Sequence, residues 1–557
     1  MKFLFKQKLE ILLFLIVLLG FVLRFWRLDT NPPSLNWDEV SHGYNAYSIL
    51  KTGSDEWGRL PLANFRAYGD YPLPANLYLA IPSISVFGLN EFGIRAPHAL
   101  LGGLTVLSCF FLVQGLGFGI WVGLLASFLV AIDPWTLFPS RFVVQSNISF
   151  FLITTGLALF LHRRKKAIFL PLAGLALGVS VYAYHNARIF VPLLLVSLII
   201  LYRSEWRKWW QKRRTQFIFA ATLLLVFFLP LIPIALGSEA QARAQWVSII
   251  DQGAINHIIE SRAGSNLPPF LSRLVYNRPT YFLSHFWANY LGYFSPRFLF
   301  FAGGTQYQFN VPGKGVLYPV EMPFFYLGLG ILVFGCLRKS FPPQKRTLWV
   351  AFLWLLLSLI PAAITSGSGH VIRATTVLPL PQILVALGFF QFCQPFKNRR
   401  VAVLFSVFFI FAIFALARSY LMIYFGSYRR DYSWSWQYGY KEAVYYIKQN
   451  YDRYNKIIFT KKYGEPHEFV LFYWPWDPDK YKKDENLARY FRTGWYWVDS
   501  FAKFEFVNDW EIKNVKCQMS NVKCLLVTSP GNYPEGWSKM KTINFLDGKP
   551  AFDILEK

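Results

Sequence analysis

Acidic side chains are scarce: 31 Asp and Glu stand against 57 Lys and Arg in 557 residues, a net charge of +26. Charge of either sign is thin, at 16%, where soluble domains carry about a quarter. That excludes a string of ordinary soluble domains. No glycine-rich phosphate loop is present, so nothing points to a nucleotide substrate. The five cysteines are scattered and form no metal-type cluster. Cys109, Cys336 and Cys393 fall in apolar runs and read as packing residues. Cys517 and Cys524 can pair if their segment is extracytoplasmic, a point the sequence leaves open. Internal repeats and low-complexity tracts are also missing.

What the chain has is apolar sequence, 54% hydrophobic and 19% aromatic, arranged in uncharged runs such as Ile11–Leu23, Phe217–Leu236 and Val401–Ala417. Runs near ~20 residues cross a hydrocarbon core of about 30 Å as helices, because lipid offers the backbone no hydrogen-bond partner. The positive charge sits in bursts between the runs: Lys2, Lys6 and Lys8; His162–Lys166; Arg203–Arg214; Arg338–Arg346; Lys397–Arg400. This is the pattern of cytoplasmic loops, and it argues against nucleic acid as the partner of the basic charge. The N-terminus has a basic start and an apolar stretch but no small-residue cleavage site, and reads as an uncleaved first span.

Parity then fixes a topology. With each burst inside, the crossings run at about Leu9–Trp26, Ala96–Gly115, Gly119–Ile132, Asn147–Leu161, Ile168–Tyr182, Ile189–Leu201, Phe217–Leu236, Val316–Leu337, Leu348–Thr365, Thr375–Phe392 and Val401–Phe425, about eleven in all. Leu73–Leu89 contains Pro74 and Pro82 and would break the parity, so it is expected to lie along the membrane surface or dip into it. The fold class is an all-α polytopic membrane protein with a small extracytoplasmic α/β domain. The membrane domain is expected over 1–425, with outer loops at 28–95 and 237–315. The α/β domain is expected over 426–557, with a helix at Trp436–Asn450 and strands at Lys456–Thr460 and Cys524–Thr528.

The polar features all fall on the outer side. Asn36-Trp37-Asp38-Glu39 precedes a predicted helix; paired carboxylates there suit base catalysis or cation binding, or else Asp38 caps the helix and Glu39 favours its positive end. Asp70, in Tyr68-Gly69-Asp70-Tyr71-Pro72, is a second candidate acid or a turn residue. Later outer loops offer Asp133-Pro134-Trp135 with Ser140-Arg141, then Tyr184-His185-Asn186-Ala187-Arg188, then Gly369-His370-Val371-Ile372-Arg373. Arginine binds phosphate through a bidentate fork, or snorkels to lipid headgroups. Arg141, Arg188 and Arg373 together with His185 and His370 are the candidate phosphate-binding set. Asp70 and His185 are the candidate ligands if a divalent metal takes part.

The run Asn36–Glu39, then Gly53-Ser54-Asp55-Glu56-Trp57-Gly58, then Gly69–Pro72 resembles the first outer loop of bacterial protein O-mannosyltransferase-like proteins of the GT-C superfamily, which also holds the aminoarabinose transferases of lipid A. Pro134-Trp135 with Ser140-Arg141, Tyr182–Arg188, and His370–Arg373 followed by Pro379 match recurrent segments of that family, and the resemblance covers Leu9 to Phe425. It implies an inverting transferase that moves a sugar, most plausibly mannose, from a polyprenyl-phosphate donor to an extracytoplasmic protein or glycan. It implies Asp38 as the base and places Asp70 where the aminoarabinose transferases carry an acidic metal ligand, in a different local motif. Gly237–Gly315 is too short for the β-trefoil of the eukaryotic relatives. The rival reading is a transporter or flippase of a lipid-linked sugar. Such proteins place ionisable residues inside helices and show repeats, and this sequence shows neither. A ligase or polymerase of surface glycans would share the fold and differ in acceptor.

Overall fold

Each of the eleven apolar segments is helical in the computed structural model, which describes residues 2–69, 71–237, 247–337, 345–367, 369–517 and 522–557. Among the described residues, five helices are long and apolar enough to cross a membrane by themselves, and seven if each of two bent pairs counts as one span. The sequence pattern expects about eleven crossings. Four of the expected crossings are short or bent. Phe169–Ser180 and Leu380–Cys393 have 12 and 14 residues. Two others are bent, by 65° between Ile120–Ile132 and Pro134–Arg141 and by 83° between His185–Leu201 and Arg203–Lys212. The proline-bearing segment Ala75–Phe87 forms a helix of 13 residues, about 20 Å at 1.5 Å per residue and too short to span.

The chain packs as two units. One comprises Met1–Arg24, Leu100–Ser140 and Gln145–Tyr420. Its helices approach closely where side chains are small. A Cβ on Gly388 would fall 1.9 Å from the Phe324 carbonyl oxygen, and one on Gly328 would fall 2.0 Å from that of Leu384. Helices Met322–Leu337 and Leu380–Cys393 therefore pack backbone to backbone, the contact small residues allow in lipid. The basic bursts converge in this unit. Arg163, Arg164 and Arg346 all pair with Glu205, at 3.1, 2.6 and 2.7 Å, and Arg213 donates to the Arg163 carbonyl. Three segments read as lying on one side of the membrane thus meet at one carboxylate. Helix His185–Leu201 leads away from them, and its far end lies roughly 25 Å off at 1.5 Å per residue.

The second unit comprises Phe25–Ala99, Arg141–Val144 and Leu421–Lys557. The first outer loop and the C-terminal segment fold together here. The C-terminal part is α/β, as the sequence indicates. Strands β1 (Lys456–Thr460), β2 (Ala488–Arg492), β3 (Trp495–Phe501), β4 (Phe504–Val507), β5 (Cys524–Thr528), β6 (Ser538–Asn544) and β7 (Pro550–Glu556) form one sheet, ordered β2-β3-β4-β1-β5-β7-β6. β1 pairs in parallel with β4 and β5, and the other pairs are antiparallel. The predicted β1 and β5 fall where expected, and the predicted helix is Tyr440–Asn450. Its start is later than expected because Gln437 and Gly439 take positive φ, +54° and +106°. Cys517 and Cys524 form a disulfide beside the apolar side chains of Ile458, Leu526 and Trp537. On the sheet's other face, helix Pro466–Tyr473 stacks Phe469 on Tyr440 at 4.1 Å and packs against helix Trp37–Thr52. A Cβ on Gly43 of that helix would meet the Phe472 ring at 2.5 Å, so glycine sets the distance between the two.

Candidate active site

The outer-loop motif is a helix start. Asn36 is the N-cap of helix Trp37–Thr52: its side chain accepts the Glu39 N–H at 2.9 Å, and the Glu39 carboxylate accepts the Asn36 N–H at 3.3 Å. This capping box satisfies two amides that would otherwise lack partners. Asp38 is therefore not the cap. It sits in the first turn, exposed, where the helix dipole favours a negative charge. Tyr68, whose hydroxyl donates to the Trp37 carbonyl at 2.8 Å, lies beside it. Burial first, then the carboxylates of Glu468 and Asp38, push the Tyr68 phenol well above its ordinary range.

Glu39 is fully buried. Its two oxygens accept from Arg95 Nε and Nη2 at 2.8 and 2.9 Å, and Oε1 also accepts the Val143 N–H at 3.1 Å. Arg95, equally buried, donates further to the carbonyls of Leu28, Pro32 and Ser34 at 3.2, 3.0 and 2.6 Å. One ion pair thus fixes the entry to the loop, and Glu39 has no side turned toward an acceptor. Arg141 is held in a similar way. It is fully buried, donates to the carbonyls of Trp26 and Asn31 at 2.7 and 3.0 Å, and lies over the rings of Tyr424 and Phe425 at 5.5 and 5.0 Å. It braces the chain leaving the first helix. Asp70 lies outside the described residues. Tyr71, next to it, shares a hydrogen bond at 3.1 Å with the hydroxyl of Tyr496.

In the other unit, the remaining candidates gather at the start of helix His185–Leu201. Asn186 donates to the Arg373 carbonyl at 2.6 Å, joining the 185–188 turn to the 365–373 segment. Arg373 is half-buried, and its Nη1 donates to Thr365 Oγ1 and to the Ser366 carbonyl at 2.9 and 2.8 Å. Arg188, also half-buried, donates through Nε to the Val181 carbonyl at 3.1 Å. Burial and the nearby Arg373 lower the His370 imidazole to about 4, so it is neutral at pH 7. Two guanidiniums, His185 and His370 thus stand at the end of the unit away from the Glu205 cluster. Trp135 of the Asp-Pro-Trp motif ties in from below, donating to the Val371 carbonyl at 3.0 Å. Asp133, read as a loop residue, is fully buried and accepts from Gln382 at 3.0 Å. Glu321, also fully buried, hydrogen-bonds the same carboxyl.

Two features escaped sequence reasoning. The Asn36/Glu39 box was legible as N-x-x-E before an apolar run. The other is Glu56, His467 and Glu468, the one group of metal-capable side chains found among the described residues; its only sequence signal is two ionisable residues inside the apolar stretch Pro466–Tyr473.

Residues 14–243 match the sequence profile of the family described as dolichyl-phosphate-mannose-protein mannosyltransferase. No curated protein sequence matches the chain. Among solved structures, ArnT from Cupriavidus metallidurans bound to undecaprenyl phosphate is similar at a TM-score of 0.51 and 14% identity, covering 97% of each chain. The apo state of the same protein gives 0.50 and 12%, covering 99% of this chain and 98% of that one. The archaeal oligosaccharyltransferase AglB from Archaeoglobus fulgidus, in complex with an inhibitory peptide and a dolichol-phosphate, gives 0.51 and 13% over 84% of this chain, which spans 63% of AglB's length. The chain therefore has the fold of these solved membrane proteins, and its residues 14–243 are similar in sequence to the protein mannosyltransferase family.

Proposed function

We propose that the chain is an inverting glycosyltransferase that moves a hexose, mannose by preference, from a polyprenyl-phosphate donor to a protein or glycan acceptor outside the cytoplasm. The observation that carries this is the match of residues 14–243 to the mannosyltransferase family. The fold likeness along 97% of ArnT, solved with undecaprenyl phosphate, adds support.

Asp38 is the base. It is the exposed carboxylate of the outer-loop motif, held at a helix start by a capping box that does not use it. It takes the acceptor hydroxyl's proton as the oxygen attacks the anomeric carbon, and the polyprenyl phosphate leaves from the opposite face. Arg373 and Arg188 receive the charge that grows on the phosphate, and His185 and His370 supply further donors. The outer placement is supported by the Glu205 cluster at the far end of helix His185–Leu201 and by the Cys517–Cys524 disulfide, a bond of oxidising compartments.

The test is transfer from a synthetic polyprenyl-phosphate mannose in nanodiscs. Wild-type protein transfers the sugar with inversion, and Asp38→Asn lowers turnover by roughly 10²–10⁴-fold with donor binding kept. Because Asn36 is the cap, the substitution leaves the helix intact, and near-normal turnover in a folded Asp38→Asn protein would remove Asp38 as the base.

A further inference from the structure

Behind the helix that carries Asp38, three ionisable side chains face one another in a dry space. Glu56, His467 and Glu468 are 3%, 4% and 1% exposed, and a ligand atom from each lies within 4.8 Å of the others. The Glu56 and Glu468 carboxyls hydrogen-bond each other. Two carboxylates cannot touch while both are ionised, so a proton or a cation must stand between them. A second observation separates the two. Glu468 Oε2 is buried with no hydrogen-bond partner among the described residues, although buried polar atoms are nearly always paired, and His467 Nε2 lies 3.9 Å from Glu468 Oε1. One shared proton satisfies one carboxyl–carboxyl contact and leaves the outer oxygen unmet.

We propose that Glu56, His467 and Glu468 form a binding site for a divalent transition-metal cation of the zinc or manganese class. One imidazole and two carboxylates are the donor set of such ions, whereas magnesium and calcium favour oxygen alone. The supporting groups are those a metal site requires. Asn45 holds Glu56 at both ends, donating to Oε1 at 2.9 Å and accepting the Glu56 N–H at 3.1 Å. Glu465 Oε2 lies 3.5 Å from His467 Nδ1, where a carboxylate orients a ligating ring. Glu465 is in turn held by the Trp495 indole at 2.7 Å. The ion is a staple. Glu56 follows helix Trp37–Thr52, and the other two ligands start helix Pro466–Tyr473, so the metal ties the first outer loop to the sheet within one unit.

The experiment uses the full-length chain in detergent, stripped with a chelator and reloaded with Zn²⁺ or Mn²⁺ alone. The expected result is one equivalent retained after desalting, by elemental analysis, and a melting temperature higher by roughly 5–10 °C at a free-ion concentration a hundredfold above Kd. Glu468→Gln and His467→Gln each lose at least tenfold in affinity and lose the melting shift, while melting like chelated wild type. Wild-type protein that keeps no stoichiometric ion and shows no shift with either metal would leave only a shared proton and overturn the proposal. So would variants that bind the ion as wild type does. If a variant fails to fold, the wild-type arm still decides. The readouts are independent of glycosyl transfer, so a failure here leaves the proposed activity standing, and the reverse.

Discussion

Glu39→Gln separates a structural carboxylate from a catalytic one in a way that magnitude alone can decide. Glu39 and Arg95 are both 0% exposed and meet through two hydrogen bonds of 2.8 and 2.9 Å. Glutamine keeps the shape but turns an N–H₂ group toward a guanidinium that has only donors. Arg95 is left charged, buried and half-paired, a change that costs about 3–5 kcal/mol. In a domain of 150–250 residues, each kcal/mol moves the melting temperature by about 2–4 °C, so the drop is roughly 6–20 °C. Removing both partners does not restore stability. Arg95 also serves the buried carbonyls of Leu28, Pro32 and Ser34, and each orphaned carbonyl costs about 1–3 kcal/mol. Glu39→Leu/Arg95→Met is therefore still less stable than wild type. Asp38→Asn, one residue away but exposed, stays within about 0.5 kcal/mol of wild type. The assay is thermal unfolding in detergent followed by tryptophan fluorescence, with transfer activity measured on the protein that remains folded. A Glu39→Gln protein that melts within 2 °C of wild type yet has lost turnover would refute the structural assignment and return Glu39 to the reaction.

Other outcomes follow from the same geometry. Arg373→Ala weakens donor use by roughly tenfold to a hundredfold, the loss of a charge-assisted bond of about 1.5–3 kcal/mol, and Arg373→Lys recovers only part of it; KM titrations with the lipid donor check this, and wild-type values in Arg373→Ala would contradict it. Cys517→Ser lowers stability by about 2–2.5 kcal/mol, from the entropy of closing a short loop, and a reducing agent lowers the wild-type melt to match. Burial raises the Asp553 carboxyl, but Thr542, the Gly531 N–H and Lys539 outweigh it and hold the group below its ordinary value; its stability contribution is present above pH about 4 and is lost as pH falls through the folded pKa, so acid melts of Asp553→Asn are flatter there than wild type. An impermeant thiol reagent labels Ser538→Cys in intact cells and Ser204→Cys only after permeabilisation, and the reverse pattern at Ser204 would invert the topology.

What was legible in the sequence was whatever a single local rule dictates. A helix is the one answer to an uncharged apolar run in lipid, so all eleven runs are helical. Their lengths were less legible, because bends after Ile132 and after Leu201 depend on packing that periodicity does not encode. The short apolar runs of β1 and β5, buried along nearly their whole length, were readable for the same local reason. The roles of Glu39 and Arg141 were not. Arg95 lies 56 positions from Glu39, and the Val143 amide lies 104 positions away. Arg141 finds its partners in Trp26, Asn31 and Tyr424. A burial that consumes a charge is visible only once the chain has closed on itself. The acidic group around Glu56 and His467 is the extreme case, since its members come from segments more than 400 residues apart.

Asp38 and Glu39 are adjacent, equally acidic and equally placed by the sequence, yet the fold uses them oppositely, and the reason is the geometry of a helix start. The third residue after the cap is the one whose side chain reaches back to the cap's own N–H. Glu39 holds that place, so it turns inward and meets Arg95. The second residue points about 100° around the axis from it, away from the cap, and has no such bond to make. Asp38 therefore keeps its carboxylate at the surface, in the first turn of the helix. A base that must be both ionised and reachable is better placed there than at the neighbouring position. Exchanging the two, as Asp38→Glu with Glu39→Asp, shortens the inner arm by one methylene and breaks the Arg95 pair while leaving an exposed acid in the outer turn. If Asp38 is the base, the exchanged protein loses stability in proportion to the broken ion pair but retains measurable transfer below its lowered melting temperature. Transfer abolished in the fraction that is folded would mean that the outer acid acts only at aspartate length.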